Sequence, residues 1–318
     1  MFSGVQYADL GVRIGLYAVA QFLAHAQPML ALEKFAQLVE VPMKSGQLVK
    51  WRRLVPFNAS MEQLVEGITP SPTGVVYEDV SSTIAQYGAW IPFTDILIET
   101  HEDDNLRQFT MGAGEQAALT KERILWNTLV AGTNVAYSGA ATSRATVQAP
   151  IDLGDVQLAT RALKVAMAKP ITKIITASEK ISTQPVAPGY VAFGHTNLEQ
   201  DIRAVSGFVP REHYSDSTKL LHDMEIGKVQ DVRFILLPHL TYFAGAGAAV
   251  TTGILHNGTN VDVYPVVFFG QDAFAATALK GRSSANVVVK NPKMGETYED
   301  PLGQRGYVAL TQELALAA

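Results

Sequence analysis

A few short runs in this 318-residue sequence bring together groups able to do chemistry. Gly245-Ala246-Gly247 opens like a dinucleotide-binding turn, where glycines let backbone amides approach a pyrophosphate. Val250 stands where that fingerprint needs its third glycine, and no amphipathic helix follows, so no nucleotide site is expected. His101-Glu102-Asp103-Asp104 offers metal-ligand types in a row. Adjacent helix positions do not face each other, so these side chains converge on one ion only through irregular backbone. Carboxylates at a helix start have a simpler cause, the positive end of the helix dipole. Lys50, Arg52 and Arg53 enclose Trp51 in the most compact basic run. Cations interleaved with an aromatic ring can bind nucleic acid. The same charges on a strand also keep an exposed edge from aggregating, and an intersubunit contact or solvated face is the favoured reading.

Other chemistries lack their residues. There is no Walker loop, nucleophile elbow or H-E-x-x-H. The histidines are scattered without paired spacing. The absence of cysteine excludes disulfides, thiolate metal sites and thiol nucleophiles. The reading is therefore of a non-enzymatic chain with no catalytic, cofactor-binding or metal-binding residues. A hydrophobic share of 47% and a charged share of 17% allow a substantial core, in one large domain or two modest ones. A net charge of −5 argues against nucleic-acid binding as the main task. The apolar stretch Ile14 to Leu32 is broken by Gln21, His25, Gln27 and Pro28, too often for a membrane span. It reads as an arm or an amphipathic first helix.

The elements that must position these residues follow from periodicity. Gln47 to Arg53 alternates as a strand, with Leu48, Lys50 and Arg52 on one side and Val49, Trp51 and Arg53 on the other. A turn-rich stretch follows, with Pro56, Gly67, Pro70, Pro72 and Gly74. Val75 to Phe93 is rich in strand formers and spans about 60 Å if continuous; Gly88 and Pro92 are expected to break it in two. Such an excursion either packs as a hairpin on its own domain or lies on a neighbouring subunit. The strongest helix runs from 104 to 130, about 40 Å long, capped by Asp103 or Asp104 and stopped near Gly132. Gly112 and Gly114 in its middle suggest a close packing partner. Asp152 and Asp155 form a capping box, flanked by Ile151 and Val156, for a helix to about Ala168. Ile171 to Ala177 is a strand, and Thr196 with Glu199 starts a third helix to Gly207. Val232 to Leu237 and Val261 to Phe269 are apolar strand-length runs around a small-residue loop, Ala244 to Gly253. Asn286 to Lys290 and Tyr307 to Leu316 close the chain in an α+β pattern without a βαβ repeat.

A collinear set of short segments carries a family resemblance. It begins with Glu66-Gly67-Ile68-Thr69-Pro70, Tyr77-Glu78-Asp79-Val80 and Gln86-Tyr87-Gly88. It continues through Phe93-Thr94-Asp95, Thr100-His101-Glu102-Asp103, Gly114-Glu115-Gln116-Ala117 and Ala131-Gly132-Thr133-Asn134-Val135. Glu225-Ile226-Gly227-Lys228-Val229, Val232-Arg233 and Pro301-Leu302-Gly303-Gln304-Arg305-Gly306-Tyr307 complete it. Together they resemble the major capsid proteins of tailed phages in the "N four" lineage, from about residue 30 to 310. The pattern departs after Gly306-Tyr307, where relatives are more aromatic than Ala309-Leu310-Thr311-Gln312-Glu313.

The resemblance implies the Hong Kong 97-type capsid fold. Residues 1–45 would be an N-terminal arm and 46–95 an extended hairpin loop lying across a neighbour. Residues 96–169 would be a peripheral domain with a spine helix at about 103–131. Residues 170–280 would hold the axial domain, and 281–318 the C-terminal strands returning to the peripheral domain. It also implies hexamers and pentamers of this chain in an icosahedral virion shell around double-stranded DNA, assembled in the bacterial host cytoplasm. A separate scaffold protein, a portal, a possible decoration protein and no membrane are the expected partners. Gly67, Gly74 and Gly88 are candidate flex points of the loop, or ordinary turn glycines. An encapsulin-like nanocompartment shell and a cytosolic α+β enzyme are the competing readings.

Overall fold

The computed structural model describes residues 31–41, 46–61, 63, 66–67, 69, 72–101, 105–176, 182–214, 220–250, 253–255, 258–279, 285–293, 300 and 302–317. Its first strands are β1 (Gln37–Val41), β2 (Leu48–Leu54), β3 (Tyr77–Thr83) and β4 (Ala85–Thr94). Helices α1 (Asp95–Thr100), α2 (Asn105–Val130) and α3 (Leu153–Val165) follow. Then come β5 (Ile171–Thr176), β6 (Ser182–His195), α4 (Glu199–Ala204), β7 (Phe208–Pro210), β8 (Glu225–Val229) and β9 (Val232–Leu237). β10 (Val267–Phe269), β11 (Ala275–Leu279), β12 (Ala285–Lys290) and β13 (Arg305–Ala317) complete the order.

The apolar run Val232 to Leu237 becomes β9, buried at every position because both faces of its sheet are covered. The sheet order is β10-β6-β9-β8-β7, with β5 also on β6; β6 and β9 run parallel. Strand alternation sends Val191, Phe193, Ile235 and Leu237 into one core, with Leu125 and Trp126 of α2 and Leu32. Tyr190, Ala192, Phe234 and Leu236 enter a second core, with Val156 of α3 and Ile202 of α4.

A second sheet is organised by β13, which pairs β12, β4 and, at its far end, β11. β11 pairs in parallel with β1. The middle of α2 lies on this sheet, where Ala113 packs with Phe93, Leu97 and Val308. Gly306 sits opposite Phe93, and a β-carbon there would run into the Phe93 ring and stand 2.8 Å from the Lys290 carbonyl. The C-terminal half of α2 leaves this sheet for the first core, and Trp126 donates its indole N–H to the Thr241 carbonyl at 2.9 Å. One helix therefore braces both sheets.

Several expectations agree with the structure in detail. α2 ends at Val130, and the Gly132 N–H closes on the Leu129 carbonyl. The Asp152–Asp155 capping box is formed, with Asp155 N–H donating to Asp152 at 2.9 Å. Others need correction. α3 stops at Val165, not Ala168, because Met167 takes a positive φ of 54° and Ala168 N–H bonds back to the Leu163 carbonyl. The break in the Val75 to Phe93 excursion falls at Ile84, not at Gly88 or Pro92; Ile84 N–H turns to the Gln47 carbonyl. Pro92 is tolerated inside β4 because, among the described residues, β4 has β13 as its one strand partner.

The Thr196–Glu199 capping box does not form. His195 caps instead, its Nδ1 accepting from Asn197 N–H, while Glu199 pairs with Arg203. Only Val267–Phe269 of the Val261 to Phe269 run is a strand; in its first half Val263 bridges to Phe243, and Asn260 just before it bridges to Ala249. The Gly112 and Gly114 expectation moves by one position. Ala113 and Ala117 make the close approach, and the two glycines face open space. The helix caps Asp103 and Asp104, and residues 1–30, lie outside the described residues.

Candidate assembly interface

β2 and β3 form a two-stranded ribbon with no third strand among the described residues, in register from Leu48 opposite Thr83 to Leu54 opposite Tyr77. It belongs to neither sheet. Val49 is its one buried apolar residue, whereas Leu48, Leu54, Tyr77 and Val80 are exposed. Beyond it, Val55, Phe57, Met61, Val75 and Val76 are exposed as well. A lone hairpin is marginal in water, and apolar groups at this density are concentrated where a partner covers them.

The basic run sits on this ribbon, and its charge is met across the strands. Arg52 grips Asp79 with two bonds of 2.7 and 3.0 Å, and Arg53 reaches Glu78 at 2.7 Å. The hydrogen-bonded guanidinium holds the Asp79 carboxyl below its usual range. Arg52 also lies 5.6 Å from the Tyr77 ring centre. These exposed pairs add little to stability, but they fix register and offset the charge of the two arginines. Gly67, at the turn beyond the ribbon, has a φ of +83° that a side chain would strain.

A second exposed surface adjoins the ribbon. Alternation along β4 turns Phe93 into the core under α2 and leaves Trp90 on the opposite face, 64% exposed. Trp90 meets Tyr307 in a T-shaped ring contact, with centres 6.5 Å apart. Ile96, Ile98 and Leu302 are exposed in the segments flanking the ends of β4 and β13. A solvent-facing sheet surface is ordinarily polar, so a bare tryptophan there marks a contact. Sequence reasoning missed Trp90; reading its parity against Phe93 along the strand would have found it.

The remaining chemical candidates are structural. Gly245 and Gly247 spend their amides inside the loop, on Asp262 at 2.6 Å and the Val261 carbonyl at 2.9 Å. A β-carbon on Gly247 would meet the Val147 carbonyl at 2.8 Å, so the glycine serves loop packing. His101 follows α1, and Glu102, Asp103 and Asp104 lie outside the described residues. Among the described residues no cluster of His, Asp or Glu is placed to hold a metal, and no helix is long and apolar enough to cross a membrane.

A long helix bracing a β13-centred sheet, a buried second sheet and a projecting ribbon define the Hong Kong 97-type capsid fold. The head protein of Helicobacter pylori bacteriophage KHP40 shares it at a TM-score of 0.60 and 12% identity, covering 89% of this chain and 79% of that one. The capsid of Ralstonia phage GP4 gives 0.63 and 12%, over 89% and 82%. The capsid of cyanophage Pam1 gives 0.56 and 14%, over 87% and 82%. A family model described as phage capsid protein matches residues 77–295, most of the chain, and the chain belongs to that family. It is a phage major capsid protein, a structural component of the shell and not an enzyme. No curated protein sequence matches it.

Proposed function

We propose that this chain builds an icosahedral shell from hexamers and pentamers, with its ribbon laid across a neighbouring copy. The observation that carries this reading is the β2–β3 ribbon itself, an isolated pair of strands with exposed apolar residues. One sequence occupies both ring sizes if its contacts close at slightly different angles, and a ribbon rooted on an edge strand tolerates that variation. Residues 1–45 act as the arm, rooted at Ala31–Phe35, and 46–95 as the extended loop. Residues 96–169 form the peripheral domain, 170–280 the axial domain, and 281–318 return to the peripheral sheet. The neutralised ribbon and the net charge of −5 suit a wall that encloses double-stranded DNA without gripping it. Relatedness to the "N four" lineage, assembly in the host cytoplasm on a separate scaffold, and portal and decoration partners belong to the same reading.

Electron microscopy and size-exclusion chromatography of the chain co-expressed with its phage's scaffold test it. Closed shells, or discrete pentamers and hexamers, are the expected outcome. A small oligomer that persists at all concentrations with scaffold present would overturn it.

A further inference from the structure

The segment Ala31–Glu33 is held by a charged side chain that is itself buried. Glu122, midway along α2, has no exposed surface. Its Oε1 accepts the Leu32 N–H at 3.0 Å. Oε2 is buried with no hydrogen-bond partner among the described residues. Next to it on the helix, Lys121 forms an ion pair with Glu33. Ala31 and Leu32 are fully buried in the first core. A backbone amide held on a buried carboxyl, and an ion pair beside it, therefore tie this segment to α2.

That carboxyl resists ionisation. Burial pushes it up to about 8, an effect the Glu33 carboxylate reinforces and the amides of Leu32, Glu33 and Ala31 oppose. The charged groups around the junction come from each packed element. Glu33 and Lys34 lie on the turn at 32–35, Lys121 and Arg123 on α2, and His222 and Asp223 on the loop before β8. Lys121 is engaged by Glu33, and the Lys34 charge bears on His222.

We propose that Glu122 is a proton-gated latch: in its neutral form it clamps Ala31–Glu33 to the long helix, and its ionisation loosens that root. The sign follows from linkage. A carboxyl that holds its proton more tightly when docked favours the docked state at low pH, and that advantage is lost as pH rises through about 8. With the loosened form titrating as an ordinary glutamate, the open population rises about tenfold between about pH 7 and about pH 9. The latch concerns one subunit, so it stands or falls independently of shell assembly.

The test is hydrogen exchange on the full-length chain, followed by mass spectrometry and normalised to intrinsic amide rates at each pH. Opening of the 31–36 segment is expected to rise about tenfold from about pH 7 to about pH 9 in the wild type and to stay nearly constant in Glu122→Gln. A segment in α3 is expected to show no such change in either protein. An equal rise in both proteins, or none in the wild type, overturns the proposal. Should Glu122→Gln fail to fold, infrared spectroscopy of the wild type decides. A protonated carboxyl band at neutral pH that vanishes near pH 8 supports the latch, and its absence at neutral pH refutes it.

Discussion

Replacing Trp90 by alanine separates folding from assembly. The ring is 64% exposed in the subunit, and its one ring partner is the edge of Tyr307. A tryptophan can bury on the order of 250 Å², so roughly 160 Å² remains for a partner to cover. At ~25 cal/mol per Å² that surface is worth about 4 kcal/mol. Alanine retains part of it, so the loss per contact is about 3 kcal/mol, or roughly a hundredfold in an association constant. Losing the Tyr307 edge contact costs the isolated subunit only about 1 kcal/mol. The expected result is a rise of roughly two orders of magnitude in the critical concentration for shell formation. This is measured by light scattering, with a subunit melting curve that barely moves. An unchanged critical concentration would show that the outer face of β4 contacts no other copy. A large fall in melting temperature would show that Trp90 is needed for folding.

Other outcomes follow from the packing. Gly306→Ala forces a methyl into the Phe93 ring and the Lys290 carbonyl, and is expected to cost roughly 1–3 kcal/mol in chemical denaturation. Gly112→Ala places a methyl in open space on a helix, so the subunit should gain up to about 1 kcal/mol. A simultaneous loss of assembly would show that a copy packs on that face. His222 and His239 are held neutral, first by burial, then by Lys34 at His222 and by Arg123 and His195 at His239. Their folded values lie below the ordinary 6.5, so stability rises with pH and is lost as pH falls from about 6.5 through the lower folded values. Denaturation midpoints at pH 5 and 7.5 are expected to differ less in His222→Gln than in the wild type.

Much of the local structure was legible because it is governed by local rules. Asp152 and Asp155 announce a helix start through their own side chains, and Val232 to Leu237 announces a buried strand through unbroken apolarity. The errors occur where distant residues decide. Pro92 reads as a breaker until β13 supplies the sheet whose edge it occupies. Glu199 reads as a capping residue, but Arg203 takes its carboxylate and His195 replaces it. The candidate interface was half legible. The strand alternation of Leu48 to Arg53 was visible, whereas the pairing of Arg52 with Asp79 depends on the register of a strand that begins beyond a long loop. Glu122 gave no signal, since its partner is the backbone amide of Leu32, far away in the sequence.

The pairing of β13 with β4 sets an order of events during synthesis. β4 is translated early, directly after the ribbon, but the strand that anchors it and the strand that connects to β11 are both β13. A nascent chain on the ribosome therefore carries its ribbon on an unanchored stem until β13 emerges and folds back. On the proposed docking of the ribbon across a neighbouring copy, crowded chains on one messenger lack the strand-paired base for that contact until then. Late closure of a non-local sheet slows folding, and on the proposed docking it also delays assembly until β13 has paired with β4.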